Sequence, residues 1–283
     1  MKILRHNSDG LVQDFENETG NLEIEKIHTS YCKNVLNLNK RASNNACLGE
    51  LGRFPLAYRL WANAMKYWLR MEQGTQNVLL NYAYNFMKEE NCDWLQSIQA
   101  ILFKNGFGNI YDQTIQRDRH EVKRKVLKRL EDQFIQVWYR KVNCQAFGVK
   151  LNMLKQTYEM SSYLIDVKNP EVRTVFTRLR CGYNILHSSI GRYKNGGSKN
   201  CTSCKNEVES VEHFLFDCPK FSNIRNDLLN VIKQYVPNFD NLSSESKLGV
   251  ILDFNVPNRM KDLLRNSICK FVSTMYNARK HDS

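Results

Sequence analysis

Apolar residues recur along most of the chain at intervals of three and four positions, the spacing of helices that bury one face. The broadest stripe follows Pro55 and consists of Leu56, Leu60, Trp61, Ala64, Met65, Trp68 and Leu69. Proline suits the first position of a helix, because the N–H group that it lacks would have no intrahelical partner there. The pattern therefore predicts a helix that begins at Pro55 and packs on a core.

A second stripe is narrower and lies in a strongly charged segment. Its apolar positions are Val122, Val126, Leu130, Phe134, Val137 and Trp138. This thin seam predicts one long helix over residues 115–142 that rests on a bundle and keeps its basic face in solvent.

Shorter periodic segments predict further helices over residues 22–36, 78–87 and 170–180, and two more after Pro219 and Pro257. Asp93, with Gln96 three residues later, predicts a capped helix start. Residues 194–200, Lys-Asn-Gly-Gly-Ser-Lys-Asn, form the clearest flexible joint. The chain as a whole is predicted to be all-α.

Composition is compatible with a packed, soluble protein. Hydrophobic residues make up 42% of the 283 positions and aromatic residues 11%, which is enough for a substantial core. The chain has no run of 18 apolar residues, and its first 15 residues are too polar for a signal-peptide core. We therefore expect an intracellular protein of the nucleus or cytoplasm that does not contact a membrane, with its cysteines as thiols or metal ligands.

The formal charge is +12 and is unevenly distributed. Residues 168–205 carry eight cationic side chains against Glu171 alone, and residues 117–155 carry eleven against four acidic ones. The first 27 residues are acidic instead. Basic segments of this kind indicate a polyanionic partner, although a charged run is also typical of an ordinary solvated helix face.

The most specific chemistry lies in Cys201, Cys204, His213 and Cys218, a C-x2-C-x8-H-x4-C series. A two-residue gap lets one tight turn direct two thiolates at the same ion. In an unbroken helix His213 and Cys218 would point about 140° apart, but Pro219 disfavours the α conformation at Cys218 and so predicts a helix end there. The series predicts one tetrahedral Zn²⁺ site; the alternative is a chance cluster of reduced cysteines.

These patterns predict a helical bundle with a small CCHC zinc-knuckle module and a C-terminal helical tail. The predicted segments are an acidic, disordered N-terminus (residues 1–21), a helical connector (22–166), a basic segment with the zinc module (167–225) and C-terminal helices (226–283).

The chain resembles the C-terminal region of non-LTR (LINE-type) retrotransposon polyproteins. One block is Arg178-Leu-Arg180-Cys-Gly182, Gly191-Arg192-Tyr193 and the Cys/His series, which resembles their reverse-transcriptase zinc-binding segment. Residues 40–45, 48–55 and 103–111 resemble the connector that follows the polymerase thumb. The resemblance covers most of residues 22–225 and implies the RNA or target DNA of such an element as ligand.

The sequence lacks the residues that would make such a polyprotein an enzyme. A polymerase palm holds its metal ions with two adjacent aspartates, and this chain contains no Asp-Asp pair. Asp240, Glu245 and Lys247 only weakly imitate a nuclease signature, in what is predicted to be a Ser-rich loop. His120-Glu121 begins an H-E-x-x-H pattern that fails at Arg124. We therefore expect no catalytic activity.

The leading hypothesis is a zinc-dependent nucleic-acid-binding fragment of a retroelement-like protein. The residues expected to contact phosphates or stack on bases are Arg178, Arg180, Tyr183, Arg192, Tyr193, Lys194 and Lys199. His187 lies near them and is either a phosphate contact or a histidine satisfied within the fold. The alternatives are a helical interaction module that docks on a polymerase-bearing partner, and a decayed copy without a selected role.

Overall fold

The computed structural model describes residues 22–112, 118–143, 151–193 and 198–281, and for residues 191–193 and 228 it describes the backbone alone. The predicted acidic N-terminus and the glycines of the predicted joint, Gly196 and Gly197, lie outside these ranges.

The described residues are mostly helical. Their α-helices, in chain order, are α1 (Glu23–Val35), α2 (Asn44–Leu51), α3 (Leu56–Glu72), α4 (Val78–Glu89), α5 (Asp93–Lys104), α6 (Gly108–Asp112), α7 (Arg119–Asn143), α8 (Leu151–Leu154), α9 (Tyr163–Asp166), α10 (Pro170–Arg180), α11 (His187–Tyr193), α12 (Ser222–Tyr235), α13 (Ser244–Asp253) and α14 (Asn258–Lys280). A π-helical turn (His213–Asp217) and 3₁₀ turns (Pro219–Phe221, Phe239–Asn241) complete them. These ranges contain no β-strand, only an isolated bridge between Asn200 and Val208. The prediction of an all-α fold is confirmed.

Local capping explains where several helices begin. The Asn169 side chain accepts hydrogen bonds from the backbone N–H groups of Glu171 and Val172, and Pro170 occupies the first turn, so α10 has the predicted bounds. Pro55 precedes α3 as its N-cap. None of the helices in the described ranges is both long enough and apolar enough to span a bilayer.

Two local predictions were wrong. Asp93 is the first residue of α5 rather than its cap, and Gln96 donates its side-chain hydrogen bond to the Asn91 carbonyl. Glu245 and Lys247 were expected in a Ser-rich loop with Asp240, but Ser244–Asp253 form α13, because the Ser243 hydroxyl accepts the Ser246 N–H and starts the helix. Glu245 and Lys247 therefore lie on a helix.

The chain divides into two compact units. The first unit contains, of the described residues, 22–28, 54–112 and 118–137; the second contains 29–53, 138–143, 151–193 and 198–281. Helices α1 and α7 contribute residues to both. This division differs from the four predicted segments, whose boundaries stay predictions.

The first unit is built on the buried side of α3, which packs against α5. Trp68 stacks on Tyr111 with ring centroids 5.3 Å apart, and Phe134 of α7 meets Phe54 and Tyr58 edge-on. The α7 seam from Val122 to Phe134 is buried as predicted. Helix α4 is different, because Tyr84 is its only buried residue and Leu80, Ala83 and Met87 line an open apolar groove of about 520 Å³.

The second unit has a dense core. Helix α14 packs against α10 and α12, and α8 against α13. The core contains Leu154, Tyr163, Phe176 and Leu179, and also apolar residues between 201 and 221 and along α14. Residues of the predicted zinc segment and of the predicted C-terminal tail therefore share one core.

Candidate metal centre

The first two cysteines of the series lie in a tight hairpin-like turn. The Cys201 N–H donates to the Glu207 carbonyl at 2.7 Å, the Lys205 N–H donates to the Cys201 carbonyl at 2.8 Å, and Asn200 bridges to Val208. Lys205 has a left-handed φ of 54°, which closes the turn. The Cys201 and Cys204 thiols lie on the same side of this turn. Residues 198–221 are called the metal loop below.

The other two residues are brought together by the π-helical turn. The Cys218 N–H donates to the His213 carbonyl at 2.8 Å, an i→i+5 bond that places residues five apart about one turn apart. Cys218 itself is non-helical, with φ −56° and ψ 118°, and Pro219 follows it. The predicted helix end at Cys218 is confirmed, whereas the π-helical bond that aligns His213 with Cys218 was not foreseen.

The four side chains converge on one point. One ligand atom from each of Cys201, Cys204, His213 and Cys218 lies within 4.8 Å of the others, and the Cys218 sulfur is 3.8 Å from that of Cys201 and 3.9 Å from that of Cys204. A tetrahedral ion with Zn–S bonds of about 2.3 Å separates its sulfurs by about 3.8 Å. The two sulfur separations from Cys218 match this value, and the four residues could hold one metal ion.

His213 is the buried imidazole of the cluster. Its side chain is only 6% exposed, and its Nδ1 lies 2.7 Å from the Glu207 carboxylate, while Nε2 has no hydrogen-bond partner within the described part of the chain. Leaving a buried polar group without a partner costs about 1–3 kcal/mol. A metal ion among the thiols supplies the missing partner for one of the two nitrogens.

The thiols are too close together to ionise jointly without a cation. Burial acts to raise the pKa of Cys201, but the backbone N–H groups of Cys204 and Ser203 and the His213 ring outweigh it and lower that pKa to about 7. Burial and the two neighbouring thiols raise the pKa of Cys204 to about 12, and burial raises the pKa of Cys218. Cys201 is therefore the thiol that ionises most easily. A bound divalent cation would offset the unfavourable free energy of ionising Cys204 and Cys218 as well.

Glu209 fastens the metal loop to the rest of the second unit. Its carboxylate forms a buried ion pair with Arg279 of α14, in which the Arg279 NH2 is 3.1 Å from Oε2. The same Oε2 accepts the backbone N–H of His187 at 2.7 Å, and the His187 ring contacts the Asn200 carbonyl. His187 is thus satisfied within the fold.

The structure corrects the expectation for Arg180. Its side chain is 0% exposed and donates to Glu50 and to Asp253, each at 2.8 Å. Burial disfavours the charged guanidinium, but the two carboxylates outweigh it and raise the pKa of Arg180. Because no face of this guanidinium reaches solvent, Arg180 is not available to a phosphate.

Of the other residues predicted to contact nucleic acid, Arg178, Tyr183 and Lys199 have side chains that the structure describes, and these differ in exposure. Arg178 is half-buried and donates to the Asn37 carbonyl at 3.4 Å, and Tyr183 is half-buried. Lys199 is exposed on the metal loop. The side chains of Arg192 and Tyr193, and all of Lys194, lie outside what the structure describes.

The burial of two arginines could have been predicted from their positions on the apolar faces of helices. Arg279 continues the buried stripe of α14 that includes Val272 and Met275, and Arg180 lies four residues after the buried Phe176. A cation at an apolar position of a helix indicates a buried ion pair rather than a binding residue. Neither acidic partner, Glu209 or Glu50, is predictable from local sequence.

No family model, no curated protein and no solved structure matches the chain. The resemblance to retrotransposon polyproteins therefore stays a hypothesis, and the Cys/His cluster is the feature that bears on function.

Proposed function

We propose that the protein is a non-catalytic nucleic-acid-binding protein in which one structural Zn²⁺ holds the metal loop in place. The observation that carries the proposal is the convergence of Cys201, Cys204, His213 and Cys218 within 4.8 Å. Three sulfurs and one imidazole suit zinc, and four protein ligands leave no open position for a reacting water. Such a zinc ion stabilises structure and does not perform chemistry.

Metal analysis of the purified protein tests the zinc site. We expect about one zinc per chain, and loss of that zinc when Cys218 is replaced by serine. Cys269→Ser is the matched control, because Cys269 is half-buried on α14 and is not part of the cluster. A wild-type protein that is folded and free of metal would refute the site.

Binding of nucleic acid is supported by the charge of +12 and by the solvent face of α7. Arg124, Lys125, Lys128 and Arg129 are all exposed there, opposite the buried seam. Lys125 pairs with Glu121 and Lys128 with Asp132, but exposed pairs of this kind contribute about 0–1 kcal/mol and exchange easily for phosphate. The arginines of residues 168–180 are instead engaged within the protein, so α7 is the better phosphate-binding surface.

The α7 surface is tested by changing Arg124, Lys128 and Arg129 together to Gln and measuring affinity for RNA, single-stranded DNA and duplex DNA across salt concentrations. Loss of three phosphate contacts should lower the slope of log affinity against log salt by roughly two to three. The control removes the same charge from α14 through exposed Arg259, Lys270 and Lys280. Equal losses in both variants would show non-specific attraction instead of a binding face.

The absence of catalysis is part of the proposal and follows from the motifs. The sequence supplies no pair of adjacent aspartates to hold catalytic metal ions. We expect no primer extension with either Mg²⁺ or Mn²⁺ on any template. Incorporation that survives purification would refute this part.

A second candidate function is a helical interaction module for a partner protein. It is favoured by α4, where Val78, Leu79, Tyr82 and Phe86 are between 57% and 80% exposed. The segment from Gln73 to Met87 contains no charged residue. Binding through this face would therefore be insensitive to salt, whereas binding to nucleic acid through α7 would weaken steeply with it.

A further inference from the structure

An acidic side chain lies directly beside the histidine of the metal centre. The Glu207 Oε2 is 2.7 Å from the Nδ1 of His213. The two residues differ sharply in exposure, since the Glu207 side chain is 63% exposed and that of His213 only 6%. The carboxylate therefore reaches the buried ring from the solvent side.

The position of Glu207 is fixed by the same turn that carries the cysteines. Its carbonyl accepts the Cys201 N–H at 2.7 Å, and the next residue, Val208, bridges to Asn200. The backbone of Glu207 is thus tied to that of the first ligand, which keeps Glu207 within side-chain reach of the cluster. A surface carboxylate that met His213 by chance would have no such anchor.

A histidine ligand needs a partner for each of its two nitrogens. The metal takes the lone pair of one, and the other carries a proton that must be donated to an acceptor, which fixes the tautomer and the direction of the ring. The Glu207 Oε2, 2.7 Å from Nδ1, is within hydrogen-bond distance of a proton on that nitrogen, and Nε2 has no hydrogen-bond partner within the described part of the chain.

We propose that Glu207 is the positioning residue of the metal centre: its carboxylate accepts the Nδ1–H of His213 and thereby directs Nε2 at the three thiolates. This inference rests on the proposed zinc site. Glu209, two residues further on, cannot serve instead, because both of its oxygens are taken by Arg279 and one also by the His187 N–H.

The test compares zinc affinity in three variants of the full chain by competition with a chromophoric chelator. Glu207→Ala should weaken zinc binding about 10–100-fold, as removal of such an acceptor usually does. Glu207→Gln should recover part of that loss, because the amide oxygen still accepts a hydrogen bond. Glu245→Gln is the control, an exposed glutamate of α13 whose change alters net charge equally and should leave affinity unchanged.

A second readout separates positioning from general charge effects. In the zinc-loaded protein, ¹⁵N NMR of His213 should show a protonated Nδ1 and a metal-bound Nε2. The reverse pattern would overturn the inference, as would a Glu207→Ala variant that binds zinc as tightly as the wild type. A wild-type protein that binds no zinc at all would overturn the proposed function itself, and this inference with it.

Discussion

The exposure of the metal loop and of helix α4 differs from what their amino-acid compositions suggest. Helix α4, Val-Leu-Leu-Asn-Tyr-Ala-Tyr-Asn-Phe-Met-Lys-Glu, is mostly apolar, yet Tyr84 is its only buried residue. The metal loop is rich in Ser, Asn, Lys and Glu, yet Phe214 and Leu215 are 0% exposed and the cysteines 201 and 218 at most 3%. The apolar helix faces solvent, whereas the polar loop buries its own apolar residues and two of its cysteines in the core.

The difference lies in what each element meets. The metal loop is held by a buried ion pair to α14, by the shared core of the second unit and by the Cys/His cluster. The ion pair and the shared core join residues far apart in the sequence, whereas the cluster joins residues within the loop itself. Helix α4 lines an open groove together with α3, and it bonds to Glu72 through Tyr84 and Lys88. Burial is therefore decided by distant partners, and local hydrophobicity only permits it.

Removal of the metal should have the largest effect. Structural zinc stabilises small domains by on the order of 10 kcal/mol, and here the metal loop shares its core with α14. Chelation or Cys204→Ser should therefore expose amides of both the metal loop and α14 to hydrogen exchange, while α3 and α5 in the first unit keep their protection. Exchange that rises in the metal loop alone would show that the loop folds independently, as the predicted joint at residues 194–200 suggested.

The ion pair between Arg279 and Glu209 should come next. Breaking a buried pair leaves one unpaired charge in the core, so Arg279→Met should cost about 3–5 kcal/mol of unfolding free energy in urea. Arg265→Met is a control on the same helix, where the partly exposed pairs with Asp262 and Asp166 should each contribute about 0–1 kcal/mol. If Arg279→Met and Arg265→Met lower the unfolding free energy equally, the ion pair with Glu209 does not hold the metal loop in place.

Several features of the fold and of the cluster were predictable from the sequence, because their causes lie in residues close together along the chain. The bounds of α10 follow from Asn169 and Pro170, and the buried seam of α7 follows from its spacing. The convergence of the Cys/His cluster follows from its spacing in the sequence, which is typical of a site for one ion. In each case neighbouring residues supply the whole physical cause.

The rest depends on contacts between residues far apart in the sequence. Arg180 looks like a phosphate ligand until Glu50 and Asp253 come within 2.8 Å of it. The π-helical bond between Cys218 and His213 spans Phe214 and Leu215, which pack into the core of the second unit. Exposure of α4 is equally invisible, because an apolar stripe predicts burial whether or not a partner is present.

A matched pair of leucines sharpens the comparison directly. Leu215→Ala in the metal loop should cost about 2–5 kcal/mol, because the side chain is 0% exposed and its removal leaves a cavity. Chemical denaturation followed by circular dichroism measures this. A cost under 1 kcal/mol would show that the metal loop is more loosely packed than its burial indicates.

The smallest effect should come from the same substitution in α4. Leu79 is 77% exposed, so Leu79→Ala removes few contacts and creates no cavity, and the stability of the first unit should change by no more than about 0.5 kcal/mol. Alanine also favours the helix slightly more than leucine, which acts against any loss. Hydrogen exchange of the α4 amides gives the local measurement and denaturation the global one. A loss of more than about 2 kcal/mol of unfolding free energy would mean that the apolar face of α4 is covered in solution. The metal loop and α4 would then both be buried, the metal loop by its own chain and α4 by another molecule.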